Sequence, residues 1–228
     1  MRPRRRSKLE AKKEIFNYPE KILIDNSTYD NNLRLQLKND LQALIQQRTK
    51  DKKTRICVEV GIGNGEFLNE IALREPETTF IGIEVKEERI LDALDEATIK
   101  NIENTTIIRM SVEFLDQIFN EQQIDTVFMN FPDPWPKKRH TKNRMTTAKF
   151  IKIYEKILKK NGQFILKTDN ENMYRYTLEQ LENSKIEIMS TNENLEDDEN
   201  NIPTQFEKRY RSEGKPIFQI IAKKQGMC

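Results

Sequence analysis

Apolar residues fall into short runs set between stretches with helical spacing. Leu33 to Ile45, apolar at 33, 35, 37, 41, 44 and 45, has a helix pattern. The chain then alternates. Arg55 to Val60 reads as a strand, running into Gly61-Ile62-Gly63-Asn64-Gly65 and a helix from Glu66 to about Leu73. Thr79 to Val85 is a second strand, and Lys86 to about Lys100 a helix with Ile90, Leu91, Leu94, Ala97 and Thr98 on one side. Thr106 to Arg109 and Asp125 to Asn130 give a third and a fourth strand. Thr147 to Lys159 reads as a helix, with Phe150, Ile151, Tyr154, Ile157 and Leu158 inward, that Asn161-Gly162 ends. Gln163 to Lys167 is a fifth strand ending in Thr168-Asp169, followed by a helix from about Glu171 to Leu181. Lys185 to Met189 and Pro216 to Ala222 then pair as two late strands.

Such alternation predicts an α/β fold, with a mostly parallel sheet covered by helices on both faces. Ligands of such sheets bind outside the carboxyl ends of the strands. Glu59 with its glycines, Glu84, Ser111, Asp133 and Asp169 all fall at those ends.

Composition narrows the class. With 228 residues, 33% charged and 36% hydrophobic, the chain suits one polar domain over 15–228, preceded by a basic, disordered arm over 1–14. No apolar run approaches the ~20 residues that span a bilayer, so no membrane partner is expected. The start, Met1-Arg2-Pro3-Arg4-Arg5-Arg6, lacks the apolar core of a signal peptide, and a cytoplasmic location is expected. Cys57 and Cys228 form no disulfide framework, and His140 is the only histidine, so neither a metal site nor a two-histidine mechanism is expected. The net charge of +2 is unevenly spread: Arg2, Arg4, Arg5, Arg6, Lys8, Lys12 and Lys13 crowd the arm. Lys137 to Arg144 adds five cations and no anion, while acids gather in 193–199. A basic tail and loop on a near-neutral chain fit a polyanion footprint.

Two segments carry chemistry. Val58-Glu59-Val60-Gly61-Ile62-Gly63-Asn64-Gly65 is a strand entering a glycine turn with an acid two residues ahead of it. The spacing is G-x-G-x-G. A carboxylate so near the cradle disfavours a pyrophosphate and suits a cationic amino-acid moiety. Glu84, 25 residues after Glu59 at a strand end, suits ribose hydroxyls. The pair favours S-adenosylmethionine over a dinucleotide. In Asn130-Phe131-Pro132-Asp133-Pro134-Trp135-Pro136-Lys137-Lys138-Arg139-His140, three prolines stiffen a loop holding one carboxylate, the only tryptophan and a cation cluster. That mixture suits stacking on a base while cations take phosphates.

The glycine loop with Glu59, the Gly82-Ile83-Glu84-Val85 strand end, the proline-tryptophan loop and Thr204-Gln205-Phe206-Glu207 occur in one order and spacing. As a set they resemble the bacterial tRNA (guanine-N7-)-methyltransferase family, over about Glu59 to Ala222. The resemblance implies a class I, Rossmann-like methyltransferase fold, S-adenosylmethionine as donor, and a guanine in the tRNA variable loop as acceptor. It implies donor-site roles for Glu59, Gly61, Gly63, Glu84, Ser111 and Asp133, with Asp133 also catalytic. It implies tRNA contacts at Lys137, Asp169, Thr204, Gln205, Phe206 and Glu207, and a monomer or homodimer. The chain departs from the family at Ser111, where an Asp or Asn is usual; serine still offers one hydrogen bond.

Guanine N7 has an in-plane lone pair and no proton, so methylation there needs no general base, and catalysis rests on positioning and electrostatics. Lys137, Lys138, Arg139, Lys142 and Arg144 are expected on tRNA phosphates, and Asp169 either on the base edge or as a helix N-cap. Alternatives are an amino-group methyltransferase, which uses an Asn/Asp-Pro-Pro-aromatic loop absent here, and a non-catalytic RNA-binding module.

Overall fold

The strand Ile56–Val60 is buried at all five positions, as expected of a parallel strand covered on both faces. In the computed structural model, residues 10, 14–15, 22–24, 31–49 and 54–226 are described. Most of the basic arm and Cys228 lie outside the described residues. The strands are β1 (Ile22–Ile24), β2 (Ile56–Val60), β3 (Thr79–Glu84), β4 (Thr105–Arg109), β5 (Ile124–Asn130), β6 (Leu158–Thr168), β7 (Ile186–Asn192) and β8 (Phe218–Lys224). They form one sheet in the order β1-β4-β3-β2-β5-β6-β8-β7. All pairings from β1 to β6 are parallel; β8 runs antiparallel between β6 and β7. The order reverses between β2 and β5, and crevices at such switch points take ligands.

The helices are α1 (Asn31–Thr49), α2 (Glu66–Arg74), α3 (Glu87–Ile99), α4 (Leu115–Ile118), α5 (Ala148–Ile157), α6 (Glu171–Glu182) and α7 (Gln205–Ser212). One cluster of buried side chains joins Leu37, Leu41 and Ile45 of α1 to Ile151, Tyr154 and Ile157 of α5. The other joins Phe67, Leu68 and Ile71 of α2 to Ile90, Leu91 and Leu94 of α3. Each of these large side chains, fully buried, contributes about 1.5–3 kcal/mol. Tyr154 anchors α5 twice: its ring stacks on Phe164 at 5.5 Å, and its hydroxyl donates to the Met145 carbonyl at 3.0 Å.

The alternation and the two late strands match the expected pattern, with local differences. Helix α5 stops at Ile157 and β6 begins at Leu158, so Asn161-Gly162 lies inside the strand. Asn161 takes φ +65°, and a Cβ on Gly162 would come within 3.1 Å of backbone atoms of Lys159 and Ile124. The pair is thus an irregularity in the β5–β6 register, a role glycine also plays in strands. The sequence pattern does not predict β1, the 3₁₀-helix Val112–Phe114 with α4 after it, the 3₁₀-helix Lys138–Asn143 or α7.

Candidate active site

The glycine turn closes on its neighbours through its backbone. Gly61, at φ +72°, donates its N–H to the Ile83 carbonyl of β3 at 2.8 Å. Gly65 sits at φ +78° ahead of α2, where a Cβ would lie 2.4 Å from the Ala93 Cβ. Only glycine lets α2 and α3 approach this closely.

Glu59 is 2% exposed. Its Oε1 accepts from Asn130 Nδ2 at 2.9 Å, while Oε2 is buried without a partner. Burial pushes the carboxyl up to about 8; the Asn130 bond and the Lys167 charge pull the other way. Glu84, at the end of β3, accepts from Gly63 N–H at 3.2 Å with one oxygen and from Val85 and Lys86 N–H at 2.7 and 3.1 Å with the other. Ser111 Oγ donates to Glu113 Oε1 at 3.3 Å. Arg89 of α3 donates to Asn64 Oδ1, joining that helix to the glycine turn.

The proline-tryptophan loop leaves β5 at Phe131, whose N–H donates to the Lys167 carbonyl at 2.8 Å. Phe131 and Trp135 take φ +48° and +43°, positions few non-glycine residues occupy. Between them the Asp133 side chain is exposed and accepts no hydrogen bond from the described residues. The Trp135 ring meets His140 edge-on at 5.7 Å. Lys137, Arg139 and Lys142 are exposed, and the Lys138 side chain lies outside the described residues.

Arg144 departs from the expected phosphate role. It is 7% exposed and turned inward. Its Nε donates to the Pro134 carbonyl at 2.7 Å and its Nη2 reaches the Trp135 carbonyl at 3.5 Å. Its guanidinium lies 4.7 Å from the centre of the Tyr176 ring. The three prolines remove backbone donors from this loop, so its carbonyls need an outside donor.

At α7, Thr204 is the N-cap, accepting the Glu207 N–H at 3.1 Å, and the Gln205 N–H donates to Glu66 Oε2 at 2.6 Å. Phe206 is exposed. Glu207, expected at the tRNA, has its carboxylate fully buried and bonded to Lys167, Asn201 and Arg211. Asp169 is half-buried, and the N-cap of α6 is its neighbour Asn170, which accepts the Met173 N–H at 2.9 Å.

Two adjoining clefts open at these strand ends. One, of about 480 Å³, is lined by Gly61, Gly63, Glu84, Ser111, Asp133, Trp135 and Phe206 among others. The second, of about 380 Å³, has Glu59, Asn130, Thr204 and Gln205 in its wall and shares Gly61, Gly63, Arg89, Phe131 and Phe206 with the first. Of the expected site residues, Lys137, Asp169 and Glu207 line neither. Sequence reading assigned no role to Arg89 or Lys167. Each stands in a helix or strand pattern that a solvated cation satisfies equally well, so no local signal marks it.

Residues 53–220 match the family model described as "Putative methyltransferase". The tRNA (guanine-N(7)-)-methyltransferase of Macrococcus caseolyticus is 38% identical over 76% of this chain and 83% of its own length. That of Listeria welshimeri is 36% identical over 74% of this chain and 79% of its own. Among solved structures, the 16S rRNA (adenine(1408)-N(1))-methyltransferase of Catenulisporales acidiphilia, determined with its cosubstrate SAM, superposes with a TM-score of 0.61. It covers 82% of this chain and 91% of its own at 16% identity, a likeness of fold. The fold is that of class I methyltransferases, and the chain belongs to the tRNA (guanine-N(7)-)-methyltransferase family.

Proposed function

We propose that the protein transfers the methyl group of S-adenosylmethionine to N7 of a guanine in the variable loop of tRNA, in the cytoplasm, as a monomer or homodimer. One observation carries this reading: the Asp133 loop and the Glu84 strand end open onto one cleft, so donor and acceptor residues face a common space.

The residues present fit the donor. The partnerless Glu59 Oε2 suits an ammonium group, and Glu84, held by three backbone N–H groups, keeps an acceptor site on Oε2 for a ribose hydroxyl. Ile83, Met110 and Val112 give the same cleft an apolar wall suited to an adenine, beside Ser111. When bound, S-adenosylmethionine supplies a methyl group on a positively charged sulfur, open to in-line attack. The chain's own work is to hold and shield. Asp133 accepts hydrogen bonds from the guanine N1 and N2 donors and offsets the positive charge the base gains. Gly61 and Gly63, without side chains, let the backbone lie close against the donor. Lys137, Arg139 and Lys142 take phosphates, and Asp169, Thr204, Gln205 and Phe206 surround the substrate nucleotide. Asn130 is spent on Glu59, which disfavours the amino-group alternative, where that side chain would hold an exocyclic amine.

Among the described residues no helix is long and apolar enough to cross a membrane, and no cluster of His, Cys, Asp and Glu has a metal-binding arrangement. The test is the split between catalysis and binding in Asp133→Ala. We expect kcat to fall by about 100-fold or more while S-adenosylhomocysteine affinity changes by less than about threefold. A kcat close to that of the unaltered protein would remove Asp133 from the reaction.

A further inference from the structure

Lys167 and Glu207, 40 residues apart in sequence, meet in the interior above the end of β6. Their side chains are 6% and 0% exposed, and the Nζ to Oε2 distance is 3.3 Å. Lys167 Nζ also donates to Asn201 Oδ1 and to the Ile202 carbonyl. Glu207 Oε1 accepts from Asn201 Nδ2 at 2.6 Å and from Arg211 Nη2 at 2.7 Å, and Arg211 Nη1 reaches the Leu195 carbonyl at 2.8 Å. One buried network therefore joins β6, the segment 195–202 and α7. It also reaches the catalytic loop, because the Lys167 carbonyl accepts the Phe131 N–H at 2.8 Å and the Phe131 ring lies 5.9 Å from that of Tyr210 on α7.

Lys167, Glu207 and Arg211 line neither cleft, yet Gln205 and Phe206, beside Glu207, do. A buried carboxylate with both oxygens already accepting from three side chains has no free face for a base. Such a pair is a poor source of net stability, since its attraction is spent on desolvation, and fixing one arrangement of the chain is the use that remains.

We propose that Lys167 and Glu207 are positioning residues: their buried ion pair fastens the start of α7 to β6 and sets where Gln205 and Phe206 stand relative to the Asp133 loop. The proposal rests on the methyl-transfer reading above. It gives the Thr204 to Glu207 motif two kinds of work. Gln205 and Phe206 face the clefts, while Thr204 and Glu207 build the helix start that presents them.

The test uses the full chain with Glu207→Gln, Lys167→Met and the double variant. Active sites are counted by S-adenosylhomocysteine titration, so a loss of folded protein does not lower kcat per site. Glu207→Gln leaves the Lys167 ammonium buried without its carboxylate, and we expect kcat per site to fall about 30-fold. Lys167→Met/Glu207→Gln removes that charge as well, and we expect it to recover about tenfold of the loss. A double variant as slow as Glu207→Gln would mean that Glu207 touches substrate; an unchanged kcat per site in Glu207→Gln would mean a purely structural pair. Either result overturns the proposal. Should Glu207→Gln not fold, Arg211→Met, half-buried and outside both clefts, is expected to lower kcat per site about fivefold, and no change there overturns it too. Amide hydrogen exchange of 205–212 is read on the same samples: faster in Glu207→Gln and restored in the double variant. If the unaltered protein methylates no tRNA, the functional reading fails, and the exchange data alone decide whether the pair holds α7.

Discussion

Replacing Arg144 with Met keeps most of the buried stem and removes the guanidinium. The strong hydrogen bond to Pro134, with a charged donor, contributes about 2 kcal/mol, and the long one to Trp135 about 0.5 kcal/mol. The contact with the Tyr176 ring adds about 1 kcal/mol, for a tether of about 3.5 kcal/mol. Against it stands the left-handed backbone of Phe131 and Trp135, costing about 1 kcal/mol each. With Arg144 in place the tether exceeds the strain; without it, about 2 kcal/mol of strain is unopposed except by the Phe131 N–H bond to Lys167. We therefore expect Arg144→Met to populate relaxed loop conformers, with kcat per site falling about 10- to 30-fold. S-adenosylhomocysteine affinity should change by less than about threefold, because Glu59 and Glu84 lie on other strands. Trp135 is the only tryptophan, so its emission reports the loop directly. An unshifted emission spectrum with kcat per site within about twofold of the unaltered protein would refute the tether.

Three further outcomes follow from the same geometry. Glu59 carries a carboxyl raised from 4.5 to about 8, so between those pH values the folded chain keeps a proton that the unfolded chain has lost. Stability should then decline as pH rises through that window and level off above it; Glu59→Gln should lack the decline, gaining roughly 2–4 kcal/mol on the unaltered protein from pH 5 to pH 8. Parallel denaturation profiles for the two proteins would contradict this. Gly65→Ala places a Cβ against Ala93 at a left-handed φ and should cost about 2–4 kcal/mol in chemical denaturation; a loss below about 0.5 kcal/mol would mean that α2 and α3 separate easily. Tightness of tRNA binding should fall steeply with salt, and Lys142→Ala or Arg139→Ala should each lower the slope of log K against log salt by about 0.7–1; unchanged slopes would take both off the phosphates.

Much of the site was legible because its residues stand at strand ends, where a parallel sheet collects them whatever the loops do. Glu59, Glu84 and Asp133 needed only the strand pattern and a glycine turn to be placed together. What stayed hidden was tertiary. Arg144 sits in a run of cations and reads as one more phosphate ligand, yet a proline-rich loop starved of donors turns it inward. Glu207 reads as a substrate carboxylate until Lys167 and Arg211 are found around it, and no local pattern announces a partner 40 residues away. Asn161-Gly162 has the signature of a helix stop and also that of a strand irregularity, a choice that pairing with β5 decides.

The central claim is most directly tested by incubating the protein with labelled S-adenosylmethionine and unmodified bulk tRNA, then separating the product nucleosides. Label in N7-methylguanosine, absent with Asp133→Ala, is the expected result. Label in N6-methyladenosine or another amino-methylated nucleoside, or donor binding with no transfer to any tRNA, would contradict it.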